Sequence, residues 1–243
     1  MIDEKAFQLD IHTHTIASGH AYGTIREMAA AAAERELALL GFAEHGPGVP
    51  GTCDPFYFLN ISAVPRRLSG VEIVHGCEAN VLNGGAGFEL PQRCIDRLDY
   101  IIAGVHLPWY RDEGAEKNTD NVIACMEHEK VFFISHPDND NAPLLYGRLV
   151  EAAKEYHVAL EVNNSSLLKP DRRLNCVENY RTMLRLCREY SVPIVVSSDA
   201  HDPFYVGRFA ESCELLNTEG FDRELIINTS VEKFKAHIGR KKK

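Results

Sequence analysis

The sequence lacks the features that would divide the chain or place it in a membrane. No run of eighteen apolar residues occurs, so no membrane-spanning helix is expected. No composition shift, low-complexity stretch or Pro/Gly/Ser-rich linker interrupts the 243 residues. We therefore predict a single domain over residues 1–243, and its hydrophobic content of 45% is ordinary for a globular protein.

Paired cysteines and excess positive charge are also missing. The seven cysteines form an odd, scattered set without a CxxC pair, which argues against a disulfide framework and against a thiolate zinc site. The net charge of −9 argues against a stable nucleic-acid partner. The charged start Met1-Ile2-Asp3-Glu4-Lys5 does not resemble a signal peptide. We expect a cytoplasmic protein without a membrane partner, and no sequence feature indicates its oligomeric state.

Short apolar runs alternate with helical segments along the chain. The predicted strands span residues 8–11, 39–43, 71–77, 99–105, 131–135, 158–163 and 193–198. Helices are predicted from Thr24 to just before Gly41, over 61–68, 119–129, 144–157, 176–190, 207–216 and 223–227, and from 231 into the tail. Because the strands are almost continuously apolar, they predict a parallel sheet that is buried on both faces.

Histidines end one apolar run after another. Examples are His45 after Phe42-Ala43-Glu44, His106 after Ala103-Gly104-Val105, and His136 after Phe133-Ile134-Ser135. A lone histidine at a strand end is more often a hydrogen-bonded residue than a ligand, but a buried strand has no structural need to end on imidazole. The repetition therefore predicts that each strand delivers one ligand to a common point.

Two further motifs and one carboxylate extend this pattern. In His12-Thr13-His14 the histidines are two residues apart on a strand, so both rings point to the same side. Ser198-Asp199-Ala200-His201 follows the last predicted strand, and Glu78 follows the third. Active groups of β/α barrels lie at the carboxyl ends of the strands, whereas an open sheet would concentrate its site at one switch point. The pattern therefore favours a barrel.

The candidate ligands are imidazoles and carboxylates, which zinc, manganese and iron all accept. The set comprises His12, His14, His20, His45, Glu78, His106, His136, Asp199 and His201. It is too large for one tetrahedral ion with about four ligands, and fits two or three ions. Two ions about 3.5–4 Å apart are a common arrangement for cleaving phosphate esters.

The same motifs resemble the ligand set of the polymerase and histidinol phosphatase (PHP) superfamily. Residues 14–22 and 161–166 are similar to its YcdX-like branch of phosphatases. The resemblance implies an α/β fold, a distorted seven-stranded β/α (TIM-like) barrel, with a trinuclear metal centre. By position, it implies one metal on His12, His14, Glu78 and Asp199, a second on Glu78, His106 and His136, and a third on His20, His45 and His201. Three divalent ions are expected, with zinc first and manganese or iron as alternatives.

The expected reaction is attack of a metal-bound hydroxide on a small phosphomonoester such as a sugar phosphate, histidinol phosphate or a nucleotide. Asp199, Glu78 and His201 are the expected catalytic residues, with the proton relayed to the leaving alkoxide by Asp199 or a histidine. Asp10 is expected to orient a ligand imidazole. The candidate substrate contacts are Arg208, Asn163, Lys169 and Arg172, together with Asn164, Arg173, Trp109 and Tyr110.

Three other functions remain open from the sequence. Some relatives in the superfamily act as exonucleases, which makes a phosphodiesterase the first alternative. An amidohydrolase-type deacetylase or deaminase also begins with a His-x-His strand, but such enzymes typically bridge their metals with a lysine. A non-catalytic metal-binding module is the third alternative. His75, His128, His157 and His237 are interpreted as structural or surface residues.

Overall fold

Seven parallel strands form the centre of the molecule in the computed structural model, which describes residues 1–107 and 109–240. They are β1 (Leu9–Thr13), β2 (Leu39–His45), β3 (Val71–Asn80), β4 (Ile101–Gly104), β5 (Val131–Ile134), β6 (Ala159–Asn163) and β7 (Ile194–Ser197). Each strand pairs with the next in chain order. A bridge between Thr13 and Ala200 brings the last strand back to the first. The predicted distorted seven-stranded β/α barrel is therefore confirmed.

Two buried side chains join the seam between β1 and β7. At one end the carboxylate of Asp10 accepts hydrogen bonds from Ser198 N (3.3 Å) and Gly207 N (3.0 Å) and from the Ser198 hydroxyl. At the other, the amide of Asn228 donates to Leu9 O (3.3 Å) and Val196 O (2.9 Å). Asp10 was expected to orient an imidazole; instead it contacts backbone groups and a hydroxyl, and holds the end of β7 beside β1.

Helices follow most of the strands. They are α1 (Ile25–Glu34), α2 (Ala115–Met126), α3 (Tyr146–Glu155), α4 (Cys176–Tyr190), α5 (Ala210–Thr218) and α6 (Val231–Ile238), with single turns at Phe56–Leu59, Gln92–Ile95 and Asn164–Leu167. The predicted capping box begins α1, because Thr24 Oγ1 accepts from Glu27 N and Glu27 Oε2 accepts from Thr24 N. No helix among the described residues is long and apolar enough to cross a membrane.

The barrel interior below the strand ends is filled by apolar side chains from all seven strands. Leu9, Ile11, Ile102 and Phe133 belong to this cluster, and Phe234 of α6 packs against it. The phenyl rings of Phe133 and Phe234 stack with their centroids 6.1 Å apart. The interior is thus a packed core, and polar groups converge only at the carboxyl end of the strands.

The helix predicted over 61–68 is wrong. A short turn at Ile61–Ala63 is followed by the extended residue Val64, as expected before a proline, and Arg67–Leu68 pairs antiparallel with the start of β3. Ser69 and Gly70 both have positive φ, which forms the tight turn of a hairpin.

The predicted helix over 223–227 is also wrong. Two 3₁₀ turns, Arg223–Leu225 and Ile227–Thr229, flank Ile226, which is extended and forms a bridge with Ile194 of β7.

Two other helix starts differ from the prediction. α2 begins at Ala115, four residues early, behind Gly114 at φ +85°, and α5 begins at Ala210, past Gly207 at φ +67°.

Candidate metal centre

The nine predicted ligands converge at the carboxyl end of the barrel. His12, His45 and Glu78 lie near the ends of β1, β2 and β3, and His106 and His136 follow β4 and β5. Asp199 and His201 follow β7, while His14 and His20 come from the segment after β1. Parallel strands end at the same side of the sheet, which explains why residues far apart in sequence meet here.

Four ligand atoms form a compact first group. His12 Nε2 lies 3.1 Å from His14 Nε2 and 3.3 Å from Glu78 Oε2, and His14 Nε2 lies 3.3 Å from Asp199 Oδ1. His14 Nε2 lies 3.5 Å from Glu78 Oε2, and His12 Nε2 lies 3.6 Å from Asp199 Oδ1. A tetrahedral zinc ion with ligand bonds of about 2.0–2.1 Å requires ligand–ligand separations of about 3.3–3.4 Å. Five of the six separations among these four atoms are therefore close to those required by a tetrahedral ion.

The second oxygen of Glu78 faces a different pair of histidines. Oε1 lies 3.1 Å from His106 Nε2 and 3.0 Å from His136 Nε2. Glu78 thus presents Oε1 to His106 and His136 and Oε2 to His12, His14 and His45, so its two oxygens face separate sets of imidazoles, as those of a bridging carboxylate do. His106 Nε2 is buried and has no hydrogen-bond partner among the described residues, so it is available as a ligand atom.

A third group lies at the outer edge of the cluster. His20 Nε2 is 3.2 Å from His45 Nε2 and 3.1 Å from His201 Nε2. The other ring nitrogen of His45, Nδ1, is 3.0 Å from Glu78 Oε2 and has no hydrogen-bond partner among the described residues. Three convergent Nε2 atoms fit the nitrogen donors of a further divalent ion.

The pKa shifts of His14, Glu78 and Asp199 suit metal binding, whereas burial of His12 is outweighed by the carboxylates of Glu161, Glu78 and Asp199, which raise the pKa of His12 well above its usual value. Burial lowers the pKa of His14 well below its usual value, and the nearby His201 and His45 add to the shift. Burial alone would raise the pKa of Glu78, but His106 and His12 outweigh it and hold that pKa well below the usual range. Burial is likewise outweighed at Asp199, whose pKa is held low chiefly by His12. Neutral imidazole and ionised carboxylate are the forms that bind metal ions.

Most of the inner ligands are held from behind through their second ring nitrogen. His12 Nδ1 lies 2.6 Å from Glu161 Oε1, and His106 Nδ1 lies 2.6 Å from the side-chain oxygen of Asn80. His14 Nδ1 lies 3.0 Å from Ser18 Oγ, which donates to Glu44 Oε2. These contacts place the hydrogen on Nδ1 and leave Nε2 free to bind an ion, which is how ligand histidines are commonly oriented.

The supporting residues Glu161, Glu44, Ser18 and Asn80 were not assigned these roles from the sequence. One signal was present: Glu161 and Glu44 are carboxylates inside otherwise apolar strands, and both are almost completely buried. Buried carboxylates are rare without partners, so such positions in a parallel strand indicate a support for the site.

Backbone strain accompanies two of the ligands. His136 and Asp199 have φ angles of +28° and +51°, in the left-handed region that non-glycine residues seldom adopt. Glu161 Oε2 accepts from the backbone nitrogen of His136 at 2.7 Å, which stabilises one of these conformations. Such strain costs about 1–3 kcal/mol per residue and persists where it aims a functional side chain.

Gly104 leaves room for the Glu78, His106 and His136 group. A Cβ atom at this position would lie 2.2 Å from Ser135 Oγ and 3.2 Å from both Glu78 Oε1 and His106 Cε1. Any larger residue would displace the atoms that face the second pair of imidazoles.

Two cavities adjoin the cluster. Cavity A has a volume of about 590 Å³ and is lined by His106, His136, Trp109, Arg172 and Arg173, among others. Cavity B has a volume of about 440 Å³ and borders Asp199 and His201. The candidate substrate contacts Lys169 and Arg208 line cavity B, and Arg172 lines cavity A.

Asn163 does not match its expected role as a substrate contact. Its side chain is fully buried, donates to Glu161 Oε2 at 3.1 Å and Asp199 Oδ2 at 3.3 Å, and accepts from Ser166 N. We correct its role to that of a positioning residue. Tyr110 is also buried and its hydroxyl donates to Asn118 Oδ1, so of these two aromatic residues it is Trp109 that borders cavity A.

Known proteins resemble this chain along almost its whole length. The family model of the PHP domain matches residues 10–165. A probable phosphatase of Clostridium novyi (strain NT) is 38% identical over 237 residues, which cover 98% of this chain and 96% of the relative. A probable phosphatase of Acetivibrio thermocellus is 39% identical over 236 residues, 97% of each chain.

Two solved structures share the fold. A histidinol phosphate phosphatase from Lactococcus lactis subsp. lactis, crystallised with zinc, L-histidinol and phosphate, has a TM-score of 0.61, 18% identity, and coverage of 88% of this chain and 94% of that one. A chain of an archaeal ribonuclease P solved with mature tRNA has a TM-score of 0.59, 17% identity, and coverage of 94% and 90%. The family match spans more than half of the sequence and the relatives extend along nearly all of it, so the chain belongs to the PHP domain family.

Proposed function

We propose that this chain is a metal-dependent phosphatase that hydrolyses small phosphomonoesters. The observation that carries the proposal is the position of Glu78, whose two oxygens face separate sets of imidazoles at 3.0–3.5 Å. Glu78 would hold two ions close together, and such a pair of ions can bind a phosphoryl group and its attacking water. The names of the two relatives, both probable phosphatases, support the same reaction class.

The proposed centre holds three divalent ions. The first would be held by His12, His14, Glu78 and Asp199, the second by Glu78, His106 and His136, and the third by His20, His45 and His201. Zinc is the first choice because the structural neighbour from Lactococcus lactis was crystallised with it, and manganese and iron accept the same donors. Bound here, the ions would supply Lewis-acid charge to the phosphoryl oxygens and activate water.

Asp199 is the proposed proton carrier. Its Oδ1 faces His12 and His14, whereas Oδ2 accepts from Asn163 at 3.3 Å, and the residue borders cavity B. Because the pKa of Asp199 is low, a proton released by the attacking water would be transferred through Oδ2 to the oxygen of the leaving alcohol without staying on the carboxylate. His201 lines the same cavity and lies 3.4 Å from Asp199 Oδ1, so it helps to orient this carboxylate. On this basis we assign the leaving alcohol to cavity B, which Asp199 and His201 both line.

Arg173 is the cation best placed to bind a phosphoryl oxygen. Its guanidinium lies 3.3 Å from the fully buried carboxylate of Asp138, and it lines cavity A with His106 and His136. Burial would lower the pKa of Arg173, but Asp138 outweighs it, so the charge is retained. Arg172 also lines this cavity but is exposed and has no ion pair among the described residues. Binding through Arg172 would therefore cost more side-chain conformational entropy than binding through Arg173.

The two cavities favour a small substrate over a nucleic acid. Volumes of about 590 and 440 Å³ match those of pockets for small molecules, and the net charge of −9 opposes a polyanion. None of the nine converging ligands is a lysine, the residue expected to bridge the metals of an amidohydrolase. A small phosphomonoester therefore fits the site better than the alternatives.

The first test compares p-nitrophenyl phosphate with bis-p-nitrophenyl phosphate, using protein loaded separately with zinc, manganese or iron. We expect preferential monoester hydrolysis with at least one metal. Preferential diester cleavage would replace the proposal with a phosphodiesterase. No turnover of either compound by protein shown to contain metal would contradict phosphoester hydrolysis altogether.

A further inference from the structure

Cavity B contains two cations that the metal centre does not use. Lys169 and Arg208 both line it, and neither forms an ion pair with any residue of the described ranges 1–107 and 109–240. Cations at a protein surface are usually solvated, but these two border the same cavity as the proposed proton carrier Asp199. Because both line the cavity that Asp199 borders, one ligand in this cavity can contact both.

Both cations are held in place by local contacts. Lys169 Nζ donates to Ser165 Oγ at 2.6 Å, and Ser165 is itself almost fully buried and lines the cavity. Arg208 donates from Nε to Phe204 O at 2.6 Å, and its guanidinium carbon lies 3.7 Å above the centre of the Phe204 ring. These contacts occupy one donor on Lys169 and one on Arg208, so further donors of each group remain for a ligand.

The carboxylates that line cavity B are already engaged. Asp199 is a proposed metal ligand, and Asp202 accepts from Phe204 N at 2.9 Å as the cap of the turn Pro203–Tyr205. Neither carboxylate lies within ion-pair distance of Lys169 or Arg208. The two cations therefore keep their charge available for an anion.

The other side chains that line cavity B suit a small organic group. Tyr22, Tyr205 and Leu168 line cavity B and expose 78%, 46% and 46% of their surface. The backbone nitrogen of Tyr22 donates to His201 O at 2.7 Å, which ties this wall to the metal motif. Exposed aromatic and aliphatic side chains beside fixed cations are typical of small-molecule sites that bind an apolar body and orient it by a few polar groups.

We propose that cavity B binds the alcohol portion of the substrate and that this portion carries a second anionic group, which Lys169 and Arg208 bind. The substrate class is a phosphomonoester with a compact apolar or planar body and an additional carboxylate or phosphoryl group. This inference rests on the proposed phosphatase function, because the cavity is assigned to the leaving alcohol on that basis.

The test compares phenyl phosphate with 4-carboxyphenyl phosphate and 4-(phosphonomethyl)phenyl phosphate, measuring kcat/KM of the metal-loaded protein by phosphate release. We expect at least one anionic probe to be preferred by about tenfold or more, as for charge-assisted hydrogen bonds. The carboxylate and phosphonate arms separate the two kinds of anion. In Lys169→Met and Arg208→Met the preference should fall severalfold, mainly through KM.

The controls separate recognition from stability. Lys169→Arg and Arg208→Lys should restore most of the preference because they keep the charge. Lys154→Met removes an exposed lysine of α3 in the same way and should leave the preference at its original value. Binding of 4-hydroxybenzoate, compared with phenol by calorimetry, provides a measurement without turnover, and the same two methionine variants should weaken it.

Equal use of all three probes by the original protein, or a preference that survives both methionine variants, would overturn the inference and leave the phosphatase proposal intact. Loss of the preference in Lys154→Met as well would also overturn it, because the preference would then depend on the net charge of the protein and not on the two cations of cavity B. Absence of turnover of every monoester would instead contradict the proposed function. In that case, binding of 4-hydroxybenzoate that depends on Lys169 and Arg208 would still support an anion site in cavity B.

Discussion

Glu161 Oε1 lies 2.6 Å from His12 Nδ1 inside the barrel, while Glu161 Oε2 accepts from the backbone nitrogen of His136 at 2.7 Å. One buried carboxylate therefore orients ligands from two of the three proposed ion sites. Burial alone would raise the pKa of Glu161, but His12 outweighs it, so the group is held as a carboxylate. A charged partner behind a ligand histidine increases the basicity of its metal-binding nitrogen.

Glu161→Gln should weaken metal binding by about 10–100-fold, because the amide can orient His12 but carries no charge. The measurement is the zinc content of the protein after competition with a chelator of known affinity. Glu155→Gln, at an exposed position on α3, is the matched control and should retain metal like the original protein. Equal retention by Glu161→Gln would contradict the supporting role.

Glu78→Ala should reduce metal content and turnover together. The substitution removes Oε2, which faces His12 and His14. It also removes Oε1, which faces His106 and His136. Metal per chain is measured by mass spectrometry of the elements, alongside hydrolysis of p-nitrophenyl phosphate. A variant that keeps the original activity would contradict the bridging assignment.

Gly104→Ala should impair the second ion site. The added Cβ would meet Ser135 Oγ at 2.2 Å and crowd Glu78 Oε1 and His106, so the ligands must shift. We expect loss of metal and at least a tenfold decrease in kcat/KM, in line with the sensitivity of reactions to misplaced groups. Metal content, kinetics and the melting temperature are measured together.

The matched control for this change is Gly147→Ala in the first part of α3. A Cβ at Gly147 would meet nothing within 4 Å, and alanine favours the helix by at most about 1 kcal/mol. This variant should keep its metal and melt at the same or a slightly higher temperature. If Gly104→Ala behaved like Gly147→Ala, the space at Gly104 would have no role in the site.

His75 should make the protein less stable in mild acid. Burial, with a contribution from the charge of Arg66, lowers the pKa of His75 to about 4, although Asp99 opposes the shift. The unfolded chain takes up this proton below a pKa of about 6.5, whereas the folded chain does so only near 4. The free energy of unfolding therefore falls as the pH decreases through this window, and the loss is complete below about pH 4.

His75→Leu should remove this contribution. His75 Nε2 has no hydrogen-bond partner among the described residues, so the substitution breaks no side-chain hydrogen bond. Urea unfolding at about pH 7.5 and about pH 5 measures the effect, and the stability lost between them should be smaller in the variant by at most about 2 kcal/mol. An identical loss in both proteins would show that His75 does not carry the acid sensitivity.

Much of the architecture could be predicted because its signals are local. Each of the seven predicted strands overlaps an observed one, since apolar runs of this length in an α/β chain have few other places to pack. The segment 61–68 could not be assigned from composition alone. Its conformation depends on the turn at Ser69 and Gly70 and on pairing of Leu68 with Val71 of β3, which is a contact with another element.

The candidate ligands were predictable, but their supports were not. His12, His14 and Asp199 are marked by short motifs at strand ends, and parallel strands bring such ends together. Glu161 is 149 residues from His12, and nothing in its own neighbourhood says which imidazole it contacts. The expected partner was Asp10, which is near in sequence but instead holds β7 beside β1.

The sequence by itself determined the class of fold and the side chains that could meet at one end of it. Both follow from apolar periodicity and from the common direction of parallel strands. Only the tertiary structure decided which oxygen of Glu78 faces which imidazoles, that Asn163 supports Asp199, and that Arg173 is paired with Asp138. These relationships depend on distances of a few ångströms between residues from different strands and loops, which barrel closure sets and residue order does not.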